Sequence, residues 1–115
     1  MIFIIEDDLT FASCLRKYCK NKETKIFSNV IEAINDLDEN FPDLIFLDIL
    51  LTGPDGFTLL NELASYPDTA KIPIVIVSSI DFQDKDLSSY GVVATLNKET
   101  LTPKEIEKYV KRYSH

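Results

Sequence analysis

Acidic, hydroxyl and basic side chains stand directly after short apolar runs of this 115-residue sequence. Glu6 and Asp7 follow the first run, Asp48 the third and Ser78 the fourth, and Lys98 lies just beyond the fifth. Carboxylates held close together repel one another and are driven towards protonation unless a cation joins them. All-oxygen ligands select a hard cation, and few protein ligands with room for water favour Mg²⁺. Such a metal, with the ammonium and the hydroxyl, could hold a phosphoryl group that one carboxylate attacks.

The apolar runs have the length and composition of β-strands. They are rich in isoleucine and valine and alternate with segments of helical period. Four are nearly continuous hydrophobic runs, which is typical of strands buried on both faces, whereas the second is more polar and is predicted to lie at an edge. The predicted strands are 2–5, about 24–27, 44–47, 74–77 and 92–96.

Helices are predicted between these strands. Asp8 can cap the first, whose inner stripe is formed by Phe11, Leu15 and Tyr18, with Cys14 beside it. Asn29 and Glu32 have the spacing of a capping box for the second helix. Its inner stripe is Val30, Ile34 and Leu37.

The third helix is predicted from about Gly56 to Ser65, where Pro67 stops it, and its inward residues are Leu59, Leu60 and Leu63. The fourth, near 84–90, is short and weakly patterned. The fifth has the clearest start, because Thr102, Pro103 and Glu105 occupy the positions of cap, first helical residue and capping-box acid. Its core-facing residues are Ile106, Val110 and Tyr113.

Five alternating βα units predict an α/β fold. Right-handed crossovers place helices on both faces of a parallel sheet. The flavodoxin-like, doubly wound order 2-1-3-4-5 fits five strands with the second at an edge. In that order ligands bind at the carboxyl ends of strands 1 and 3, so the three carboxylates, the hydroxyl and the ammonium should meet at one rim.

Composition excludes several classes of protein. The net charge of −7 and the pI near 4.6 argue against direct binding to nucleic acid. No apolar run approaches the roughly 20 residues of a membrane span, and the amino terminus lacks a signal-peptide pattern. Cys14 and Cys19 should point to different helix faces and stay unpaired, which indicates a reducing compartment, the cytoplasm.

One domain over residues 1–115 is expected.

Each site residue has a plainer interpretation when it is taken alone. An acid after a strand is usually a helix N-cap, which Asp8 satisfies, leaving Glu6 and Asp7 unexplained. Ser78 alone would be a turn residue and Lys98 alone a solvated charge. Their joint placement at the strand ends of one sheet favours a common site.

The sequence resembles the receiver domain of bacterial two-component response regulators over essentially its whole length. The resemblance is carried by Ile4-Ile5-Glu6-Asp7-Asp8, by Pro42-Asp43-Leu44-Ile45-Phe46-Leu47-Asp48 with Gly53 and Gly56, by Pro73-Ile74-Val75-Ile76-Val77-Ser78-Ser79, and by Lys98. Each motif alone is weak. All four in this order and spacing are highly specific.

The resemblance implies the roles of individual residues. Asp48 would be the phosphoacceptor, modified from a phosphohistidine on a sensor histidine kinase or a histidine phosphotransfer protein. Asp7 would contact Mg²⁺ directly and Glu6 mainly through water, and the backbone carbonyl of Leu50 would complete the protein ligands. Ser78 matches the switch hydroxyl and Lys98 the phosphate-binding lysine. A downstream output domain or protein would receive the signal.

The sequence also departs from the family pattern. Proline is usual in the loop near Thr52, an aromatic switch residue where Thr95 stands, and proline where Glu99 stands. The Lys98–Glu99 peptide is therefore predicted to be trans, because a non-proline cis bond costs about 2.5–4 kcal/mol. Thr95 has no aromatic ring that could move between buried and exposed positions, so the usual switch of the family is not expected here. Val92-Val93 replace an acidic pair common in DNA-binding regulators, so their usual dimer is not supported.

Three other functions belong to different classes of protein. A phosphorylation-independent, receiver-like interaction module is the main alternative, favoured by the altered switch. A phosphatase with an aspartate nucleophile would need a second acid where Leu50 stands. A flavodoxin-like electron carrier would need an acid-free phosphate loop after strand 1, where Glu6, Asp7 and Asp8 stand instead. These residues therefore argue against both the phosphatase and the electron carrier.

Loss of phosphate from Asp48 by self-hydrolysis is predicted to be slow. Water would approach phosphorus past the side chains of Leu50 and Ile80, which are apolar and bulky. Neither side chain can orient the attacking water. A side chain that does so commonly increases a reaction rate by a factor of about 10²–10⁴. The alternative is that both side chains simply cover the sheet edge and that hydrolysis is set elsewhere. Phosphate decay in Leu50→Asn, Ile80→Glu and the double mutant separates the two, because decay no faster than in wild type would favour the alternative.

Overall fold

The computed structural model describes residues 1–49, 56–79 and 87–114. The strands span Ile2–Ile5 (β1), Thr24–Phe27 (β2), Leu44–Asp48 (β3), Ile74–Ser78 (β4) and Val92–Asn97 (β5). The helices span Leu9–Tyr18 (α1), Val30–Asp36 (α2), Gly56–Ala64 (α3) and Pro103–Tyr113 (α4), with short 3₁₀ helices at Thr69–Lys71 and Leu87–Tyr90. All strand pairings are parallel in the order β2-β1-β3-β4-β5, which confirms the predicted fold class.

The sheet separates two hydrophobic cores. Because successive side chains of a strand point to opposite faces, Phe3 and Ile5 join the core beneath α2 and α3, whereas Ile2 and Ile4 join the core beneath α1 and α4. Strands β1, β3 and β4 are buried along their whole length. This two-sided burial explains why their sequences do not alternate.

Strand β5 differs from its sequence-based prediction. Its apolar run predicted burial on both faces, but among its residues only Leu96 is buried. Its place at the outer edge of the sheet agrees with the predicted strand order. Val93 and Thr95 are exposed. The opposite edge, β2, was predicted correctly from its polar residues.

The caps of α1 and α4 follow the predicted chemistry, and α2 shows the Asn29 half of its predicted capping box. Asp8 Oδ1 accepts hydrogen bonds from the Thr10 and Phe11 amides, and Asn29 Oδ1 accepts from the Glu32 amide. Thr102 and Glu105 form the reciprocal capping box of α4. Of the predicted helix near 84–90, the described part is the 3₁₀ helix Leu87–Tyr90, and residues 84–86 lie outside the described part of the chain.

The face of α1 that enters the core is shifted from the predicted stripe. Leu15 is buried as predicted, but Ala12 is the other buried helix residue, and Phe11 and Tyr18 are only partly buried. Cys19 is buried and Cys14 partly buried, and both thiols are free. Burial raises the pKa of the Cys19 thiol to about 11.

Helix α3 starts in direct contact with the end of β3. The Gly56 amide donates to the Ile49 carbonyl at 3.3 Å. A Cβ on Gly56 would lie 2.8 Å from Ile49 Cα, closer than real Cβ atoms approach. Glycine is therefore required for the approach of two backbones rather than for an unusual backbone angle.

None of the helices in residues 1–49, 56–79 and 87–114 is long and apolar enough to cross a bilayer.

Candidate functional site

The ends of β1 and β3 place two buried carboxylates side by side. The two strands pair with Ile5 opposite Leu47, so Glu6 and Asp48, the next residue of each, come to the same edge of the sheet. Both are buried, whereas Asp7 is exposed. One carboxylate oxygen from each of Glu6, Asp7 and Asp48 lies within 4.8 Å of the others. The predicted acidic cluster is therefore present.

Lys98 brings a positive charge into the acidic cluster. Its amide donates to the Ser78 carbonyl at 2.8 Å, which continues the pairing of β5 with β4 beyond the last strand residue. Its ammonium donates to Asp48 Oδ2 at 3.2 Å and forms an ion pair with Glu6 Oε1. The predicted meeting of Lys98 with both acids is observed.

Phe11 supports the ammonium from the side of α1. Lys98 Nζ lies 4.8 Å from the centroid of the Phe11 ring, within the range of a cation–π interaction. Sequence reasoning assigned Phe11 only to the core stripe. Phe11 lies four residues after Asp7, on the first turn of the helix that leaves the site. That position is the signal that could have indicated the contact.

Glu6 and Lys98 shift one another's pKa values. Burial raises the pKa of Glu6 to about 7, and the charge of Asp48 adds to the increase. Hydrogen bonds from Lys98 and from the Asp8 amide oppose it. For Lys98, burial lowers the pKa, but hydrogen bonds and charge interactions with Glu6 and Asp48 outweigh burial and raise it. The ammonium is thus held in its charged form by the acids it contacts.

The cluster fits a hard divalent cation. Its donors are all carboxylate oxygens, two of them buried and one, on Asp7, open to solvent. This combination leaves room for water in the coordination shell, which Mg²⁺ usually keeps. Asp8 is not part of the set, because its side chain caps α1 while its amide donates to Glu6 Oε2 at 3.1 Å.

Ser78 is the last residue of β4 and is fully buried. In the pairing of β3 with β4, Asp48 stands opposite Val77, so Ser78 lies at the same edge as the acids. The predicted backbone ligand Leu50, the loop residue Thr52 and the predicted water-screening residue Ile80 lie outside the described residues. Thr95 is exposed on β5.

The turn after Lys98 is held by Asn97, which the sequence analysis did not single out. Asn97 Oδ1 accepts from the Glu99 amide at 2.8 Å, and its carbonyl accepts from the amides of Thr100 and Leu101. The Lys98–Glu99 peptide is trans, as predicted. Asparagine commonly forms such turns, so its place directly after a strand was the available signal.

Comparison with known proteins agrees with this geometry. The family model for the response regulator receiver domain matches residues 2–111. Transcriptional regulatory protein MalR of Bacillus subtilis is 30% identical over 113 residues, which are 94% of this chain and 46% of that protein. The chain spans less than half of the length of the curated relatives that it matches, as with the 32% of BaeR from Escherichia coli.

Solved structures share the whole architecture. The signal receiver domain of a DNA-binding response regulator from Colwellia psychrerythraea is 30% identical, with a TM-score of 0.85 over 96% of this chain and 94% of that one. The phosphorylated cyanobacterial phytochrome response regulator RcpA is 25% identical, with a TM-score of 0.76 over 96% of this chain and 88% of that one. With a family match over nearly its full length, this chain belongs to the receiver domains of two-component response regulators.

Proposed function

We propose that this chain accepts one phosphoryl group on Asp48 in a Mg²⁺-dependent reaction and thereby changes its interactions with a partner. Residues 1–115 act as a single receiver domain in this proposal. The observation that carries it is the contact of Lys98 Nζ with Asp48 Oδ2 at 3.2 Å, inside a cluster of three carboxylates. Receiver domains are signalling modules, and we assign this chain no catalytic turnover of its own.

The reaction transfers phosphorus between two protein side chains. An Asp48 carboxylate oxygen forms a bond to phosphorus while the bond from phosphorus to the donor imidazole nitrogen breaks, and the imidazole keeps that electron pair. Lys98 is placed to pair with a phosphoryl oxygen, because its ammonium already contacts the attacking carboxylate. Preorganised positive charge of this kind stabilises the charge that develops on the transferring group.

Glu6, Asp7 and Asp48 would hold the metal, with the Leu50 carbonyl as the further ligand that the family resemblance implies. Bound Mg²⁺ would neutralise charge on the phosphoryl oxygens. Asp7 is the exposed acid of the set, so it is suited to meet an incoming ion first. Ser78 has its hydroxyl at the same edge of the sheet. It would act as the switch residue that the family resemblance implies.

The proposed donor is a phosphohistidine on a sensor histidine kinase or a histidine phosphotransfer protein. The proposed recipient of the signal is an output domain or a separate protein, since several relatives are transcriptional regulators more than twice as long. The net charge of −7 disfavours binding to nucleic acid, so the proposed output step is a protein interaction. The cytoplasm is the proposed location.

Incubation with Mg²⁺ and a small phosphodonor, followed by intact-mass measurement, tests the proposal. Wild type should gain the mass of one phosphoryl group. Asp48→Asn should gain none, and the matched variant Asp8→Asn, which keeps a capping side chain next to the site, should be modified like wild type. Modification that persists in Asp48→Asn or in excess chelator would refute the proposal, and an unmodified wild type would favour the phosphorylation-independent module.

A further inference from the structure

A groove lies between the carboxyl-terminal ends of α2 and α3, far from the acidic cluster. Its volume is about 510 Å³. Helices that connect parallel strands run back across the sheet, so their last turns lie at the edge opposite the strand ends. We call it the α2–α3 groove, lined by Ile34, Asn35, Leu37, Asp38, Phe41, Glu62, Leu63, Tyr66, Asp68 and Thr69.

Every charged residue that lines the α2–α3 groove is acidic. Asp38, Glu62 and Asp68 contribute three carboxylates, and the lining contains no lysine, arginine or histidine. Within the described ranges none of the three takes part in an ion pair, whereas nearby Asp36 is paired with Lys25 at 2.9 Å. The groove therefore carries negative charge that the described part of the chain does not neutralise.

Two aromatic side chains stand exposed in the same groove. Phe41 is 53% and Tyr66 58% accessible, although aromatic rings of this size are usually buried. The faces of both ring types attract cations. Apolar side chains line the same groove, Ile34 from α2, Leu37 from the cap that follows α2, and Leu63 from α3.

The ends of the two helices add to the negative potential. A helix carries a partial negative charge at its carboxyl end, which basic residues of the last turn usually offset. The last turns of α1 and α4 have such residues, Arg16 with Lys17 and Lys111 with Arg112, respectively. The last turns of α2 and α3 have none.

From these observations we propose that the α2–α3 groove docks an arginine-bearing segment of a partner protein. Guanidinium is weakly hydrated, stacks on aromatic faces and pairs with carboxylates, so it matches both kinds of side chain present. A strongly hydrated metal ion would leave the aromatic rings unused, and nucleic acid or an anionic membrane would be repelled. The proposal is independent of phosphorylation at Asp48, because none of the groove residues belongs to that site.

Fluorescence anisotropy with a labelled peptide of alternating arginine and leucine tests the docking. Wild type should bind it, and binding should weaken as salt rises. Phe41→Ala and Tyr66→Ala should each weaken binding by about 2- to 5-fold, the usual range for an exposed cation–π contact. Glu62→Lys should weaken it further, since it replaces attraction by repulsion.

Matched variants separate docking from general charge attraction. Glu23→Lys changes the net charge equally outside the groove, and Ile31→Ala removes an exposed apolar side chain of α2 that does not line it. Both should bind the peptide like wild type. Equal weakening by Glu23→Lys and Glu62→Lys would overturn the proposal.

Amide chemical shifts of the wild type give a second readout that needs no variant to fold. Addition of the peptide should shift the resonances of Phe41, Tyr66 and their neighbours. Shifts confined to the neighbourhood of Glu6 and Asp7 would overturn the proposal, because they would place the peptide at the other acidic region. The measurement is made without phosphodonor, so its result does not depend on the proposed phosphorylation.

Discussion

Two acidic regions of this molecule, each with three carboxylates, differ in whether the fold supplies a cation. The cluster of Glu6, Asp7 and Asp48 contains the Lys98 ammonium, and two of its acids are buried. The α2–α3 groove has no basic lining residue, and its acids are partly or fully exposed. In our first proposal, the internal lysine prepares the first region for an anion together with a metal. In our second, the groove accepts a cation brought by a partner.

The difference also concerns energy. Buried charges lose hydration, so the Glu6 and Asp48 carboxylates depend on their direct contacts with Lys98. Charges in the groove stay hydrated and are screened by salt, and they therefore impose little cost on the fold. Under the two proposals, residues of the same type would serve chemistry in one region and recognition in the other.

The largest expected effect is from Lys98→Met, which leaves two buried carboxylates without their cation. Breaking a buried pair in this way commonly costs about 3–5 kcal/mol of unfolding free energy. Lys20→Met is the control, since its pair with Glu107 is 66% and 38% exposed and should be worth at most about 1 kcal/mol. Urea unfolding at neutral pH measures both. Similar losses in the two variants would contradict the comparison.

The next effect is stabilisation by Mg²⁺. At a concentration ten times its dissociation constant, a ligand that binds only the folded state adds about 1.4 kcal/mol. The gain should disappear with chelator and should be much smaller in Asp7→Asn. Asp38→Asn, an acid of the groove, should keep the full gain. Thermal unfolding with and without Mg²⁺ measures this gain in stability. If Asp38→Asn lost the gain and Asp7→Asn kept it, the metal would bind in the groove and not at the acidic cluster.

A smaller effect is expected from Phe11→Leu. Removal of the ring takes away the cation–π contact with Lys98 but leaves an apolar side chain in place. A double-mutant cycle with Lys98→Met should give a coupling energy of about 0.5–2 kcal/mol. Phe11→Tyr keeps the aromatic face and should show little change. A coupling near zero would mean that Phe11 acts only by packing.

The smallest effect is expected in the groove, where Glu62→Lys should raise the unfolding free energy by about 0.3–1 kcal/mol. A base near the end of α3 interacts favourably with the helix dipole, which an acid there does not. Glu32→Lys, in the first turn of α2, should have the opposite sign for the same reason. Denaturant unfolding distinguishes the two. A loss of stability in Glu62→Lys would show that the acids of the groove support the fold.

The first acidic region was predictable because its position follows from topology. Parallel strands bring their carboxyl ends to one edge, and Asp48 and Ser78 are the last residues of β3 and β4. Strands β3 and β4 are each one residue longer than predicted at that end, so Asp48 and Ser78 belong to the sheet itself. The residue roles came from the family resemblance, which spacing alone could not supply.

The second acidic region was not predictable in the same way. Its acids resemble ordinary solvated charges in sequence, and Phe41 and Tyr66 belong to connections whose paths depend on how α2 and α3 pack. The contact of Phe11 with Lys98 likewise depends on the turn after β5, which Asn97 holds. The predicted strand order placed β5 at an edge, but its exposure was not predicted because exposed and buried valines look alike in a short apolar run.

Gly56 connects α3 directly to β3, the strand that ends in the proposed phosphoacceptor Asp48. The helix begins against the main chain of Ile49, the residue that follows Asp48, and Ile49 Cδ1 lies as close as Ile49 Cα to the position that a Cβ on residue 56 would take. The Ile49 side chain could turn away from such a Cβ, but the Ile49 main chain could not. A displacement of the main chain at the end of β3 would therefore reach the first turn of α3 through backbone contact, without an intervening side chain of residue 56.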